Sequence, residues 1–384
     1  MKILITTDLY KPTVNGVVIS VLNLKKGLED KGHEVRILTL SPGCRSFSKN
    51  GVYLIGSINT SVIYPGTRIK IHCPHSFIDE LISWHPDVVH SQCEFSTFGF
   101  ACRIARECNA PLVHTYHTVY EDYTHYFCPI KPLGRFIAAF LTRYYLKRTD
   151  AVVTPSLKVT KLLRRYKVKK PVTIIPTGIN LHSFSKDPGQ KWIGETLRSF
   201  DLTGPELRMI YIGRLAKEKN IQELLQLTAA CSDLPVKLVI VGDGPVKNGL
   251  VNLVKKLHIE DRVVFTGMVS PKSIGRYYHL GDVFVNASNS ETQGLTYIEA
   301  MAAGLPMLCK KDNCLEGIIE DGVNGWQYEN AEDFKAHLET LIDNMDLKRR
   351  MASNSSLMSH KFSIEGFAES ALKLYMEKIN KKNR

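Results

Sequence analysis

The sequence of 384 residues predicts an α/β protein with two domains, each built on a parallel sheet with helices on both faces. Three observations support this prediction. The chain opens with a strand, a loop, a helix and a second strand, and the same alternation returns in its second half. A polar segment with several glycines and prolines, residues 181–205, lies between the halves and is predicted to be loop and linker. Right-handed crossovers are expected between parallel strands.

The first unit of this pattern occupies residues 1–39. An apolar run at 3–5 continues into two threonines and predicts a strand, and a second strand is predicted at 34–39. Apolar residues recur between them at helical spacing, and Gly32 follows as the C-terminal cap. The loop before this helix carries a single glycine, Gly16, and lacks the three-glycine fingerprint of dinucleotide enzymes. On its own, Gly16 indicates no more than a turn.

The first half continues with further strands, predicted at 87–90, 112–118 and 151–154. His117 lies at the end of the middle one, where a histidine is more often structural than functional. Along a regular strand His114 would point to the opposite side from His117. Residues 64–85 carry scattered apolar side chains and predict a surface helix, with a membrane-touching segment as the alternative.

Two basic helices follow, one at 133–148 and one beginning after Ser156. Residues 131–170 hold twelve basic side chains and one acid, Asp150, so that they carry a net +11 of the chain total of +12. Such a concentration implies an anionic partner, either nucleic acid or an anionic membrane surface. The helix at 133–148 places its apolar residues on one face. Core packing is the ordinary interpretation of that face, and an interfacial membrane helix is the alternative.

The second half repeats the α/β alternation, with strands predicted at 209–213, 238–241, 263–266 and 282–286. Ligands of open α/β sheets bind at the carboxyl ends of the strands, so the loops that follow these strands are the candidates for binding. Arg214 and Lys219 lie in the first of these loops and are suited to a diphosphate. Gly242 and Gly244 begin a glycine fingerprint whose third position is Lys247, so no dinucleotide site is predicted.

The stretch SETQGLTYIEAMAAGLP, residues 290–306, contains a polar loop and then a helix that ends at Gly304. The start of such a helix carries unpaired N–H groups and is an anion site. Glu291 lies before it and Glu299 about one turn inside it, which suits a ligand with hydroxyls beside phosphates, such as a sugar nucleotide. From the spacing alone, an ordinary βα unit with solvated acids is the favoured interpretation.

Compartment follows from what the sequence lacks. The first residues become polar too soon for a signal peptide, and no apolar run approaches the ~20 residues of a membrane span. Nine scattered cysteines without a Cys-x-x-Cys pair predict reduced thiols and no structural zinc. We therefore expect a cytoplasmic protein.

The spacing of Glu291 and Glu299 within ETQGLT…EAMAAGLP, after a strand and before a Gly-x-Pro turn, resembles the signature of retaining GT-B glycosyltransferases of family 4. The resemblance covers nearly the whole chain. It implies a GT-B fold, with two doubly wound Rossmann-like domains and an interdomain cleft. Residues 1–175 would bind the acceptor, with a C-terminal helix at about 365–384 packed back on them, and residues 176–364 would bind the nucleotide sugar.

The resemblance also implies roles for particular residues. In this family the residue matching His117 contacts the donor sugar, as does Glu291, while Arg214 and Lys219 neutralise the diphosphate; these four are the expected catalytic residues. Glu299 would hold the ribose hydroxyls. The remaining positions expected to contact the donor are Gly16, Gly242, Met268, Val269, Gly294, Leu295 and Thr296.

No Asp-x-Asp occurs, so neither a metal nor a cofactor is expected beyond the UDP-sugar donor. Retention of configuration is implied by the family alone, and no carboxylate can be assigned as a covalent nucleophile. The expected route is a front-side one, in which the leaving phosphate takes the proton of the acceptor.

The PTVNGVV segment at 12–18 and the cationic first domain resemble bacterial diacylglycerol glucosyltransferases. This resemblance implies transfer of a hexose, with glucose expected, from a UDP-sugar to diacylglycerol or glycosyl-diacylglycerol. The enzyme would be peripheral on the inner face of the cell membrane, held there by residues 131–170 and, as an open alternative, 64–85. The competing hypotheses are a soluble or polyprenol-linked saccharide acceptor and a basic nucleic-acid-binding α/β protein. No nucleic-acid motif supports the last, so no nucleic-acid partner is expected.

Overall fold

The structure is a computed structural model that describes residues 1–13, 15–60, 68–71, 74–121 and 130–384. These residues form two compact units. The first comprises Met1–Ile179 together with Ile364–Arg384, and the second comprises Asn180–Ser363. The sequence analysis predicted the first boundary after residue 175 and the second at about residue 365.

The first unit is built on a parallel sheet with one antiparallel edge strand. Its strand order, within the described ranges, is β10-β9-β8-β7-β1-β2-β4-β3, and β5 pairs separately with β6. In chain order these strands are β1 (Lys2–Thr6), β2 (Glu34–Leu40), β3 (Phe47–Lys49), β4 (Val52–Ile55), β5 (Ser57–Asn59), β6 (Arg68–Lys70), β7 (Val88–Ser91), β8 (Leu112–Thr115), β9 (Ala151–Thr154) and β10 (Val172–Ile174).

The second unit has an all-parallel sheet with the order β13-β12-β11-β14-β15-β16. The change of direction in the strand order places β11 and β14 side by side at its centre, where ligands bind in doubly wound sheets. The strands are β11 (Leu207–Ile212), β12 (Val236–Val241), β13 (Val263–Gly267), β14 (Val283–Asn286), β15 (Met307–Lys310) and β16 (Gly325–Tyr328).

Helices connect the strands in both units. In the described parts of the chain they are α1 (Gly16–Asp30), α2 (His75–Trp84), α3 (Phe98–Glu107), α4 (Lys131–Leu146), α5 (Leu157–Arg165), α6 (His182–Ser185), α7 (Gln190–Ser199), α8 (Ile221–Ala230), α9 (Lys247–Leu257), α10 (Ile274–Tyr278), α11 (Leu295–Ala302), α12 (Ala331–Asp343), α13 (Met345–Ser359) and α14 (Ile364–Lys382). The last helix, α14, packs on α1. Gly27 allows the two to approach closely, because a Cβ there would lie 2.8 Å from the Cβ of Ala368.

One prediction needs correction. Residues 181–205 are not a linker, since they contain α6 and α7, neither of which has a buried residue. The predicted surface helix within 64–85 is α2, which buries Leu81 and Trp84 in the core and exposes its other face. The membrane-touching alternative for this segment stays a prediction. Residues 61–67 and 72–73 of that segment lie outside the described residues.

Candidate active site

The loop after β11 carries the two predicted cations in different environments. Arg214 is exposed and, among the described residues, makes no ion pair. Lys219 ends a 3₁₀ turn, Lys217–Lys219, and its Nζ lies 2.5 Å from Oε1 of Glu291. This pair is shielded, with 25% of the Lys219 side chain and 13% of the Glu291 side chain exposed. The structure therefore brings together two of the four predicted catalytic residues.

Side chains that the sequence analysis missed hold this loop against the loop after β14. The backbone oxygen of Glu218 accepts a hydrogen bond from Ser290 at 3.0 Å. Asn220, which has the left-handed conformation with φ of 52°, donates to the backbone oxygen of Ala287 at 3.4 Å. Lys310 on β15 donates to Glu223 at the start of α8, at 2.6 Å. These polar contacts link separate strands of one sheet edge, and no sequence spacing signals them.

The loops after β11, β12 and β13 are joined by backbone hydrogen bonds. The N–H of Gly213 donates to Val241, and that of Gly242 donates to Gly267, both at 3.0 Å. Gly242 has φ of 139°, and a Cβ on it would lie 2.0 Å from the carbonyl oxygen of Gly213. Close packing of the loops is thus sufficient reason for this glycine, which was predicted as a donor contact. The predicted contacts Met268 and Val269 follow β13 at the same edge, where Met268 is 81% exposed and Val269 is partly buried.

The helix α11 begins immediately after the loop that holds Glu291. Gly294 precedes it with φ of 72°, and a Cβ there would lie 2.3 Å from the ring of Tyr297. Only glycine fits this position. Leu295 and Thr296 form the start of the helix, where the backbone N–H groups and the helix dipole favour an anion. The predicted helix and its end at Gly304 are confirmed, and its first turn lies at the carboxyl edge of β14.

Glu299 lies one turn inside α11 and is partly buried. Its Oε2 accepts a hydrogen bond from the hydroxyl of Tyr278 at 2.6 Å. Burial raises the pKa of Glu299 to about 7, and the hydrogen bond from Tyr278 opposes this increase only in part. A carboxylate kept in such a place without a cation is costly to the fold and suits a group reserved for a ligand with hydroxyls.

Replacing Glu299 with glutamine is expected to stabilise the protein above neutral pH. Between pH 4.5, the ordinary pKa, and about 7, the native protein holds a proton that the unfolded chain has lost, so native stability falls as the pH rises through this range. The full penalty, on the order of 3 kcal/mol, applies above pH 7. Chemical unfolding of both proteins at pH 5 and pH 8 measures it. We expect Glu299→Gln to raise the free energy of unfolding at pH 8 and to raise it much less at pH 5. An equal increase at both pH values would contradict the raised pKa of Glu299. Glu260→Gln, at an exposed position of the same unit, is the control.

In the first unit, Gly16 is the first residue of α1, and the side chain of Asn15 accepts from the N–H of Val18 at 3.0 Å. A Cβ placed on Gly16 would meet no described atom within 4 Å. Packing therefore gives no reason for this glycine, in contrast to Gly242 and Gly294. An approaching ligand remains a sufficient reason, as the sequence analysis predicted.

His117 follows β8, which ends at Thr115, so strand alternation does not determine the direction of its side chain. The two rings have different partners, since His114 contacts Glu94 and His117 contacts Gln92. The expectation that they face opposite sides stays a prediction. The Nε2 of His117 lies 2.6 Å from Oε1 of Gln92. Burial lowers the pKa of His117 to about 4, although the charge of Glu94 raises it. His117 is therefore a neutral imidazole at physiological pH.

The helix α4 carries an exposed apolar surface, which we call the α4 face. It turns small or short side chains toward the domain, including Gly134, Ala138 and Thr142. Its large apolar side chains are exposed instead, with Phe136 at 64% and Phe140 at 55%. Core packing was the ordinary expectation for this helix, and it is wrong because the apolar stripe faces outward. The α4 face consists of Leu133, Phe136, Phe140, Leu141 and Tyr144.

Basic side chains border the α4 face. Arg135 and Lys147 are exposed, and the guanidinium of Arg148 lies 3.9 Å from the ring centre of Tyr144. The side chain of Lys131 is not among those that the structure describes. Within the ranges that the structure covers, no helix is long and apolar enough to cross a membrane. In those same ranges no cluster of three or more His, Cys, Asp or Glu side chains is placed to hold a metal ion.

The chain has the GT-B fold, in which each of two domains is a doubly wound α/β unit. Solved structures with this fold match nearly the whole chain. HepE from Anabaena in complex with UDP has a TM-score of 0.75 at 16% identity, covering 98% of this chain and 100% of that one. Sucrose-phosphate synthase from Thermosynechococcus elongatus has a TM-score of 0.75 at 19% identity, covering 98% of each.

The chain belongs to the family 4 glycosyltransferases. The model of Glycosyltransferase Family 4 matches residues 14–183, and that of Glycosyl transferases group 1 matches residues 195–358. An alpha-monoglucosyldiacylglycerol synthase of Streptococcus pneumoniae is 34% identical, over 100% of this chain and 87% of its own length. The protein of the same name from Acholeplasma laidlawii is 32% identical, over 100% and 99%. The resemblance inferred from the sequence is confirmed, and the protein is a glycosyltransferase.

Proposed function

We propose that this enzyme transfers glucose from UDP-glucose to diacylglycerol, or to a glycosyl-diacylglycerol, at the inner face of the cell membrane and with retention of configuration. The observation that carries the proposal is the α4 face, a large apolar surface bordered by cations on a glycosyltransferase. Two relatives that share its full length are named alpha-monoglucosyldiacylglycerol synthases. A lipid acceptor requires an enzyme that reaches the membrane surface, and the α4 face has the composition of an interfacial helix.

The second unit supplies the groups for the donor. Arg214 is an exposed cation at the carboxyl edge of β11, and the start of α11 offers backbone donors at the neighbouring edge. Both suit the diphosphate of a UDP-sugar. The Glu299 carboxylate accepts hydrogen bonds from the ribose hydroxyls. These hydrogen bonds would stabilise its ionised form. UDP-bound and UDP-glucose-bound structures of HepE, which has the same fold, support a uridine nucleotide.

The reaction exchanges one bond at the anomeric carbon for another. The bond from C1 of the sugar to the β-phosphate oxygen breaks, the acceptor hydroxyl oxygen bonds to C1 on the same face, and its proton passes to the departing phosphate. Negative charge grows on the diphosphate as C1–O breaks, so Arg214 and Lys219 act where charge develops. The ion pair with Lys219 orients Glu291 for the sugar hydroxyls. No metal is assigned a role in this proposal.

Turnover on vesicles tests the proposal. The purified protein is incubated with UDP-glucose and anionic vesicles that contain diacylglycerol or monoglucosyl-diacylglycerol, and the lipids are analysed by mass spectrometry and by NMR of the anomeric proton. A new α-linked glucolipid is the expected product. UDP release without a glucolipid would move the acceptor to soluble or polyprenol-linked saccharides. A β-linked product would overturn retention.

A further inference from the structure

We infer that Gln92 is a positioning residue for His117: its side-chain amide holds the imidazole in the tautomer with the proton on Nε2, so that Nδ1 accepts a hydrogen bond from a hydroxyl of a bound substrate. The inference rests on the proposed function, a sugar transfer, and on the expectation from the family resemblance that His117 contacts the substrate. It adds a residue, a tautomer and a direction of hydrogen bonding to that site.

The fold brings the two residues together. Gln92 follows β7 and His117 follows β8, and these strands are parallel neighbours whose carboxyl ends meet at one edge. The backbone of Gln92 is fixed to the next strand, since its N–H donates to Thr6 at 2.8 Å. Its side chain is 2% exposed, while the ring of His117 is only partly buried. The amide is therefore the fixed partner, and one edge of the imidazole is left accessible.

The direction of the hydrogen bond defines the tautomer. An amide oxygen can only accept, so the 2.6 Å contact between Oε1 of Gln92 and Nε2 of His117 requires a proton on Nε2. The ring is neutral, and Nδ1 therefore carries a lone pair. Nδ1 has no hydrogen-bond partner among the described residues, nor is it one of the fully buried atoms. A hydroxyl donor is the chemical complement of such an acceptor.

Gln92 contributes little to folding by its amide. Its Nε2 is buried and has no hydrogen-bond partner within the described chain. A buried amide that satisfies only one of its two groups weakens the native state, and its presence therefore needs a reason other than stability. Holding His117 is that reason. An apolar side chain of similar size, as in Gln92→Leu, should consequently leave the unfolding temperature unchanged or slightly raised.

Because charged and titratable groups surround His117, a neutral hydrogen-bond partner such as the Gln92 amide is needed to keep its imidazole neutral. Glu94 from the loop after β7 raises the pKa of His117, and His114 from β8 lowers it. His117 in turn lowers the pKa of His90 on β7. Glu94 is buried, which raises its pKa, but hydrogen bonds from His114 at 3.1 Å and Tyr120 at 2.5 Å outweigh this and keep it ionised. A second carboxylate in contact with the ring would favour imidazolium, whose Nδ1–H is a donor and cannot accept.

The first test is a pH profile of Gln92→Glu at saturating UDP-glucose with acceptor vesicles. The ratio of variant to wild-type kcat should be low at pH 6, by about 10- to 100-fold, and should rise toward pH 9 as the imidazolium loses its proton. Gln92→Leu should reduce kcat by a similar factor at every pH. A ratio for Gln92→Glu that does not change with pH would overturn the inference.

A matched pair at His117 tests which nitrogen faces the substrate. Asparagine can place an acceptor oxygen where Nδ1 lies, and glutamine can place a donor where Nε2 lies. His117→Asn should therefore retain at least about tenfold more activity than His117→Gln. The reverse order would overturn the tautomer. In a His117→Ala background, Gln92→Leu should cause no further loss, because Gln92 acts only through the ring; an undiminished loss would contradict positioning.

The same variants distinguish the two sources of the hydroxyl and separate this inference from the proposed function. Loss of slow UDP-glucose hydrolysis without acceptor identifies a donor-sugar hydroxyl, and loss of transfer alone identifies the acceptor hydroxyl. Wild-type turnover in His117→Ala would remove His117 from the site and sink the inference. Glucolipid formation by the wild-type enzyme decides the proposed function, whatever the variants do.

Discussion

Arg214→Ala should reduce kcat with UDP-glucose by about 100- to 1,000-fold, because it removes a cation from the place where the leaving diphosphate gains charge. The variant should fold normally. Arg214 is exposed and makes no ion pair within the described chain, and changes at such positions alter the free energy of unfolding by about 0.5 kcal/mol or less. Steady-state kinetics and thermal unfolding of the same preparation measure both effects.

Lys217→Ala is the matched control, since it removes one exposed cation from the same loop. Its kcat should remain within about twofold of wild type, because Lys217 is not placed in the site. Arg214→Lys should recover part of the loss, as a point charge without the two-pronged geometry of arginine. Equal effects of Arg214→Ala and Lys217→Ala would show that general charge, rather than the position of Arg214, supports turnover.

Lys219→Ala is a less clear test of the same site. It would leave Glu291 as a shielded carboxylate without its cation, and loss of activity would then mix catalysis with a distorted loop. Arg214 avoids this difficulty because it is exposed and unpaired within the described chain. The contrast shows how two cations of one motif, five positions apart in sequence, differ once the fold places them.

The fold and the local elements of the candidate site could be predicted from local sequence. Hydrophobic runs and glycine ends give β14, α11 and Gly304, since these depend on neighbours in the chain. Contacts between distant segments could not be predicted. Tyr278 donates to Glu299 from another helix, and no spacing signals that pair. Gln92 offered one clue, its position directly after a buried strand at the sheet edge where ligands bind.

The α4 face is the clearest case in which sequence alone left two interpretations open. An apolar stripe at helical spacing is the same whether it faces a core or a membrane. The deciding feature is which side of the helix the fold covers. Here Gly134, Ala138 and Thr142 pack inward, so Phe136 and Phe140 are left exposed. Burial of the helix face with small side chains depends on tertiary packing, so the periodicity of the sequence cannot predict it.

The double variant Phe136→Ser/Phe140→Ser should weaken binding to anionic vesicles by about 100-fold or more. Each phenylalanine that enters the interface contributes about 1.5–3 kcal/mol, and each factor of ten requires about 1.4 kcal/mol. Thermal stability should not fall, because both rings are exposed in the folded protein. Co-sedimentation with vesicles containing phosphatidylglycerol measures binding, and calorimetric titration with UDP should give an unchanged Kd.

Leu357→Ser is the matched control, as it removes an apolar side chain that is 66% exposed on α13 of the second unit. It should leave vesicle binding unchanged. Arg135→Ala and Lys147→Ala should each weaken binding only about fivefold, and this loss should shrink as salt rises, since each cation near an anionic surface contributes about 1 kcal/mol. The two classes of variant thus separate insertion from attraction. Vesicle binding that survives the loss of both phenylalanines would remove the α4 face as the membrane contact, and with it the observation on which a lipid acceptor most depends.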